Sequence, residues 1–82
     1  MSAAMDSNIE TIYVHLLDEG TIVLRPTQGV PLGGGVYRLL PTSDYDPETE
    51  QWQFPPGSVV RCVWETREGD NILVAQALND DS

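Results

Sequence analysis

Four carboxylates at alternate positions form the pattern in this chain that most resembles a reactive or ligand-binding site. They are Asp44, Asp46, Glu48 and Glu50. Oxygen ligands that converge from one loop can bind calcium, but a loop of the EF-hand type needs glycine at its sixth position and glutamate at its twelfth. Thr49 and Pro55 stand at those positions. The pattern therefore predicts an acidic, solvated turn organised by Asp46 and Pro47, with no metal site.

Residues for nucleophilic or acid–base catalysis are scarce. Cys62 is the only cysteine and His15 the only histidine, and they fall in different predicted strands. The apolar neighbours of Cys62 are typical of a buried small side chain. The glycines at 33–35 match neither phosphate-binding spacing and precede a predicted strand, so they indicate a hairpin loop. We therefore expect a protein that is not an enzyme and that uses no metal and no cofactor.

The charge balance restricts the partners. Thirteen acidic side chains, four arginines and no lysine give a net charge of −9 at pH 7. Such a surface repels nucleic-acid backbones, so we expect no nucleic-acid partner, and it suits cationic partners or simple solubility. No apolar stretch approaches the roughly 18 residues of a membrane span, and the first residues do not resemble a signal peptide. We expect a cytoplasmic protein with no membrane partner.

The elements that position these residues are short strands joined by turns. Apolar and polar residues alternate over 9–17, which predicts a strand with Ile12 and Val14 on one face. We expect Pro26 to end the second strand or move it to an edge, and 27–35 to form a flexible connection. Strands are predicted over 9–17, 21–25, 36–40, 51–54, 58–65 and 72–78.

Five or six short strands in about 70 residues leave few architectures, because a sheet of this size must close or cover its edges. The prediction is an all-β fold, a small antiparallel SH3-like barrel of five to six strands. A curled sheet that dimerises is the alternative. We expect one barrel domain over 9–78, a disordered tail over 1–8 and an acidic tail over 79–82.

The last two predicted strands, 58–65 and 72–78, are apolar on both faces. A barrel has one interior, so their second face indicates self-association, with a dimer as the expected state. Tyr45 and Trp52 flank the acidic turn and could line a peptide groove, as aromatic rings do in SH3-like domains. The core is the favoured place for these rings, since a small β core needs several aromatic side chains.

Two roles are possible for the arginines within the predicted strands. Arg25 and Arg38 could form salt bridges with neighbouring strands, or they could line an anion pocket for a carboxylate or phosphate. The residues predicted to bind a partner are Tyr45, Trp52, Asp44, Asp46, Glu48, Glu50, Arg25 and Arg38.

Several segments resemble a group of small bacterial proteins of unknown function. They are YVHLLDEGT at 13–21, LRP at 24–26, the Trp52-Gln53-Phe54 triplet and GSVVRC at 57–62. Members of that group read roughly YVxLLxEGTxVWRPV, then W-x-F and GxxVRC, and the match spans about residues 12–62. Leu24 departs from the tryptophan of that pattern. The resemblance implies a bacterial cytoplasmic protein, of a kind that mobile gene cassettes carry, and it implies no activity and no site residues.

Two functions remain open at this point. The first is a non-enzymatic interaction module that self-associates and binds another protein. The alternative is an acidic inhibitor, such as an immunity or nucleic-acid-mimic protein, whose carboxylates pair with a basic partner. A mimic of this kind needs its carboxylates on one continuous face.

Overall fold

The computed structural model describes residues 9–17 and 20–78. These residues form a closed barrel in which each strand pairs with its neighbours along the chain and the last pairs with the first. The strands are β1 (Glu10–His15), β2 (Leu24–Gly33), β3 (Val36–Leu39), β4 (Val59–Arg67) and β5 (Asp70–Gln76). The predicted all-β class and small SH3-like barrel are confirmed, with five strands in the described chain. The predicted tails, 1–8 and 79–82, lie outside the described residues, as do Asp18 and Glu19 of the first turn.

The seam that closes the barrel is short. A meander of five strands leaves the first and last running in the same direction, so β1 and β5 pair in parallel. They meet in register at Tyr13 and Val74, whereas β4 and β5 pair over the whole stretch from Arg61–Gln76 to Arg67–Asp70. The strands are therefore not joined at the positions that precede Tyr13 on β1 and Val74 on β5.

Alternate side chains fill the barrel, as the period of two predicts. Ile12 and Val14 of β1 are fully buried. The core cluster consists of Ile12, Val14, Leu39, Trp52, Val60, Cys62, Leu73 and Ala75. Val74 points to the opposite face and is also fully buried, in register between Tyr13 and Val63. Part of the apolar outer face indicated by the sequence is thus already buried in the monomer.

The second strand differs most from the prediction. It begins at Leu24 and continues through Pro26 to Gly33, so most of the expected flexible connection is strand. β3 pairs with β2 only from Gly29 onwards, and Pro26 therefore has a strand neighbour on one side, where proline is tolerated. The loop shrinks to a turn at 34–35, where positive φ angles of 66° and 83° suit glycine.

The predicted strand at 51–54 is replaced by a single bridge between Trp52 and Leu16. The Leu17 N–H donates to the carbonyl of Gln51 at 2.6 Å, and the Gln53 N–H donates to the carbonyl of His15 at 2.9 Å. These bonds hold the segment beside the end of β1. No helix in the described ranges is long and apolar enough to cross a membrane.

The two ends of the barrel differ. The connection 40–58 runs across one end, where Tyr45, Trp52 and Phe54 pack on the core, and we name this the closed end. At the other end β1 and β5 begin, and the described chain contributes only the turns at 34–35 and 68–69. We name this the open end.

Candidate functional site

At the closed end, several of the predicted binding residues contact one another. Arg25 Nη2 donates to Asp44 Oδ1 at 2.6 Å, and Arg25 Nε lies 3.5 Å from Glu50 Oε1. The indole N–H of Trp52 donates to the same Glu50 oxygen at 2.9 Å. The hydroxyl of Thr42 and the guanidinium of Arg25 both lower the pKa of the Asp44 carboxyl. Arg25 is thus held by two carboxylates of the chain itself, a poor arrangement for binding an external anion.

The aromatic pair at this end packs edge to face. The ring centroids of Tyr45 and Trp52 lie 4.8 Å apart with 71° between the planes. Trp52 is only 5% exposed and belongs to the core, while Tyr45 is half-buried against it. Trp52 therefore has almost no ring surface to offer a ligand, and its side chain fills the end of the barrel.

The four alternating carboxylates have different partners. Asp46 organises the turn, because its Oδ1 accepts the Glu48 N–H at 2.9 Å and its carbonyl accepts the N–H groups of Thr49 and Glu50. Asp44 and Glu50 turn towards Arg25. No cluster of three or more potential metal ligands occurs in the described part of the chain. Of these four carboxylates, two therefore contact Arg25 and one organises the turn.

Arg38 lies apart from this cluster. Its side chain is exposed on β3 and forms no ion pair with a residue that the structure describes. The structure thus brings together seven of the eight sequence-predicted residues around the acidic turn and leaves Arg38 outside.

A groove of about 470 Å³ lies at the open end. Its lining includes Glu10 and Tyr13 from β1, Trp64 from β4 and Ile72 from β5. Trp64 is 68% exposed, while Tyr13 and Ile72 are half-buried. The groove runs along the unjoined part of the seam, so side chains from both faces of the sheet reach it.

The exposure of Trp64 follows from where β3 ends. Trp64 continues the inward face of Val60 and Cys62, which are buried. β3 pairs with β4 only over Val59–Arg61, and the last bond beyond that ladder is the Cys62 N–H donating to the carbonyl of Gly35 at 2.9 Å. Past this point β4 and β5 continue as a hairpin in which no other described strand pairs with β4. The sequence pattern does not indicate this exposure, because the period of two assigns Trp64 to the core.

Burial and charge shape the electrostatics near this groove. Burial, and then the negative charge of Glu10, raise the pKa of Tyr37, which packs on the core from β3. Burial raises the pKa of the Cys62 thiol to about 11. The thiol is therefore protonated at neutral pH and is a poor nucleophile. The described lining of the groove offers aromatic and aliphatic surface and one carboxylate, that of Glu10.

A second groove, of about 510 Å³, lies beside the closed end. His15, Leu16, Ile22 and Gln53 contribute to its lining, which includes no tryptophan, tyrosine or phenylalanine among the described residues. This groove is larger but lacks the exposed aromatic anchor of the open end.

Comparison of the chain with protein families, with curated proteins and with solved structures found no match. The resemblance to small bacterial proteins therefore stays a prediction. Functional inference for this chain rests on its own residues and their geometry.

Proposed function

We propose that this chain is a non-enzymatic interaction module that binds another protein through the open end of its barrel. The observation that carries the proposal is the exposed Trp64 beside the groove. Tryptophan is among the residues most enriched at the energetic centres of protein interfaces. A ring held on a paired strand also loses little conformational freedom on binding, which favours affinity.

The backbone at the open end supports the same proposal. Among the described residues, β4 has no neighbour on its β3 side beyond Cys62, and β5 has none on its β1 side before Val74. Strand edges of this kind carry N–H and C=O groups that can pair with an extended segment of a partner. Affinity would then come from main-chain hydrogen bonds and from the groove at Trp64.

Self-association belongs to the proposal as a second use of the same surface. In the absence of a partner, a second copy can cover Trp64 and Ile72, which gives a dimer. Each copy carries a net charge of −9, so repulsion opposes the contact and salt screens it. We therefore expect dimerisation to strengthen with ionic strength.

A cytoplasmic location is also part of the proposal. Its support is that Cys62 is the only cysteine of the chain and is a buried free thiol. A fold that contains no disulfide suits a reducing compartment.

Light scattering coupled to size exclusion tests the proposal, with Trp64→Ser compared with Ile22→Ser. Ile22 is 72% exposed at the closed end, so its replacement removes a similar exposed apolar side chain from a different surface. In about 1 M salt, where the screening length is about 3 Å, the wild type and Ile22→Ser should shift from 9.0 kDa towards twice that mass. Trp64→Ser should stay monomeric. Equal dimerisation of all three would show that the open end is not the interface.

A further inference from the structure

We infer that the segment bound at the open end is extended and cationic, and that it places an arginine or lysine side chain in the groove shared by Trp64 and Glu10. This inference rests on the proposed function and specifies the chemistry of the partner.

The first support is the negative charge of Glu10, which has no counter-ion among the described residues. The groove lining contains Glu10 and no arginine among the described residues. Arg67, three positions after Trp64 on β4, is held by Glu65 through bonds of 2.8 Å and 3.1 Å to one carboxylate oxygen. Glu68 and Asp70 are exposed at the adjoining turn and form no described ion pair. The open end is therefore negative, and a cation is the complementary group.

The second support is the exposed indole ring of Trp64. The face of an indole attracts a guanidinium or ammonium group, and tryptophan is the best of the aromatic side chains for this contact. A cationic group of the partner that lies over the Trp64 ring and points its N–H groups towards Glu10 would form a cation–π contact and hydrogen bonds to the carboxylate. Arginine suits this geometry best, because its planar group can stack on the ring and still donate hydrogen bonds.

The third support is the backbone, which favours an extended segment over a helix. The hairpin edges that no other described strand pairs with lie along 63–67 of β4 and 70–73 of β5. A strand added to either edge turns alternate side chains to the same face. Every second side chain of the partner segment would then reach the groove, while the others would remain in solvent or contact the outer face of the barrel.

Fluorescence anisotropy with labelled peptides tests the inference. The probe is a nine-residue peptide of alternating valine and threonine with one central arginine. A matched peptide carries citrulline, the neutral isostere of arginine, and a third carries N-methyl groups on alternate backbone nitrogens. We expect the arginine peptide to bind about fivefold or more tightly than the citrulline peptide, and its affinity to fall with salt. The N-methylated peptide should bind more weakly than the arginine peptide, because it lacks the backbone N–H groups that would donate hydrogen bonds to the strand edge.

Two pairs of variants locate the contact. Glu10→Gln should weaken the arginine peptide about threefold to tenfold and leave the citrulline peptide unchanged. Glu48→Gln removes the same charge at the closed end and should change neither affinity by more than about twofold. Trp64→Leu keeps an apolar side chain but removes the ring, so it should abolish most of the preference for arginine over citrulline. Ile22→Ser should preserve that preference.

The outcomes separate this inference from the proposed function. Equal affinity for arginine and citrulline peptides, with both weakened by Trp64→Leu, would overturn the cationic partner and leave the open end as a binding surface. No binding of any peptide, together with dimerisation that Trp64→Ser prevents, would likewise overturn the inference and leave a second copy as the occupant. If Trp64 variants change neither peptide binding nor mass, both proposals are wrong.

Discussion

Replacing each tryptophan with alanine in turn should distinguish the side chain that stabilises the barrel from the one assigned to binding. Trp52 lies in the core, donates a hydrogen bond to Glu50 and packs edge to face with Tyr45. Trp64 lies on the projecting hairpin with most of its surface in solvent. We expect Trp52→Ala to cost several times more stability than Trp64→Ala.

The magnitudes follow from burial. A tryptophan side chain carries roughly 250 Å² of surface, and Trp52 buries nearly all of it. Loss of such a side chain from a core costs about 3–5 kcal/mol. Trp64 buries about a third, or roughly 80 Å², which at ~25 cal/mol per Å² is an upper bound of about 2 kcal/mol. Alanine retains part of that contact, so we expect about 1 kcal/mol.

Urea unfolding followed by circular dichroism measures both changes. For 82 residues, an ordinary stability is about 4–12 kcal/mol, so Trp52→Ala removes a large share and Trp64→Ala leaves a folded domain. If Trp52→Ala does not fold, Trp52→Phe provides the comparison, because it keeps a ring and loses the bond to Glu50. A cost for Trp64→Ala equal to that for Trp52→Ala would refute the reasoning and assign Trp64 a structural role.

Three further predictions concern the interior and the open end. Gly29→Ala should cost about 1–3 kcal/mol in urea unfolding, because its Cβ would collide with the fully buried Ile12; an unchanged midpoint would contradict this. The pKa of Cys62 is about 11 against an ordinary 9.0. Unfolding therefore releases a proton above pH 9, and stability should fall as pH rises from 9 towards 11, while a thiol reagent reacts slowly with the native protein. Glu10→Gln should lower the pKa of Tyr37, measured by the ultraviolet absorbance of tyrosinate, and an unchanged titration would place Glu10 too far away.

The sequence could predict those elements whose pattern is local. Ile12 and Val14 alternate with polar neighbours, and a half-buried strand is the structure that such a pattern fits. Gly69, after Glu68, predicts a tight hairpin turn, and both residues have positive φ in the structure, at 87° and 53°. These features depend on neighbours a few positions away, so composition and spacing suffice to identify them.

The second strand could not be predicted in this way. Pro26 and the glycines that follow are typical of a loop, yet 24–33 is strand, paired with β1 along 24–29 and with β3 from Gly29. Gly29 shows the reason, because the space beside it is filled by the Ile12 side chain from β1. Its role is to admit a core side chain from another strand, and local propensity carries no information about that contact.

The site predicted from the sequence and the site proposed from the structure differ for a related reason. Tyr45 and Trp52 beside alternating carboxylates resemble a groove, but in three dimensions Arg25 lies between the acids and the indole fills the core. Trp64 resembles a core residue because it shares a face with buried neighbours. Its exposure depends on how far β3 extends along β4, which only the paired structure reveals.

The difference between the two ends of the barrel determines where a cationic partner would bind most strongly. At the closed end, a partner's arginine would compete with Arg25, which already contacts Asp44 and Glu50, so each new ion pair would replace an existing one. At the open end Glu10 has no described counter-ion, and a cation forms its contact without breaking another. Long-range attraction to a chain of net charge −9 is shared by its whole surface. Specific binding is therefore expected where a free carboxylate lies beside an exposed ring, at Glu10 and Trp64.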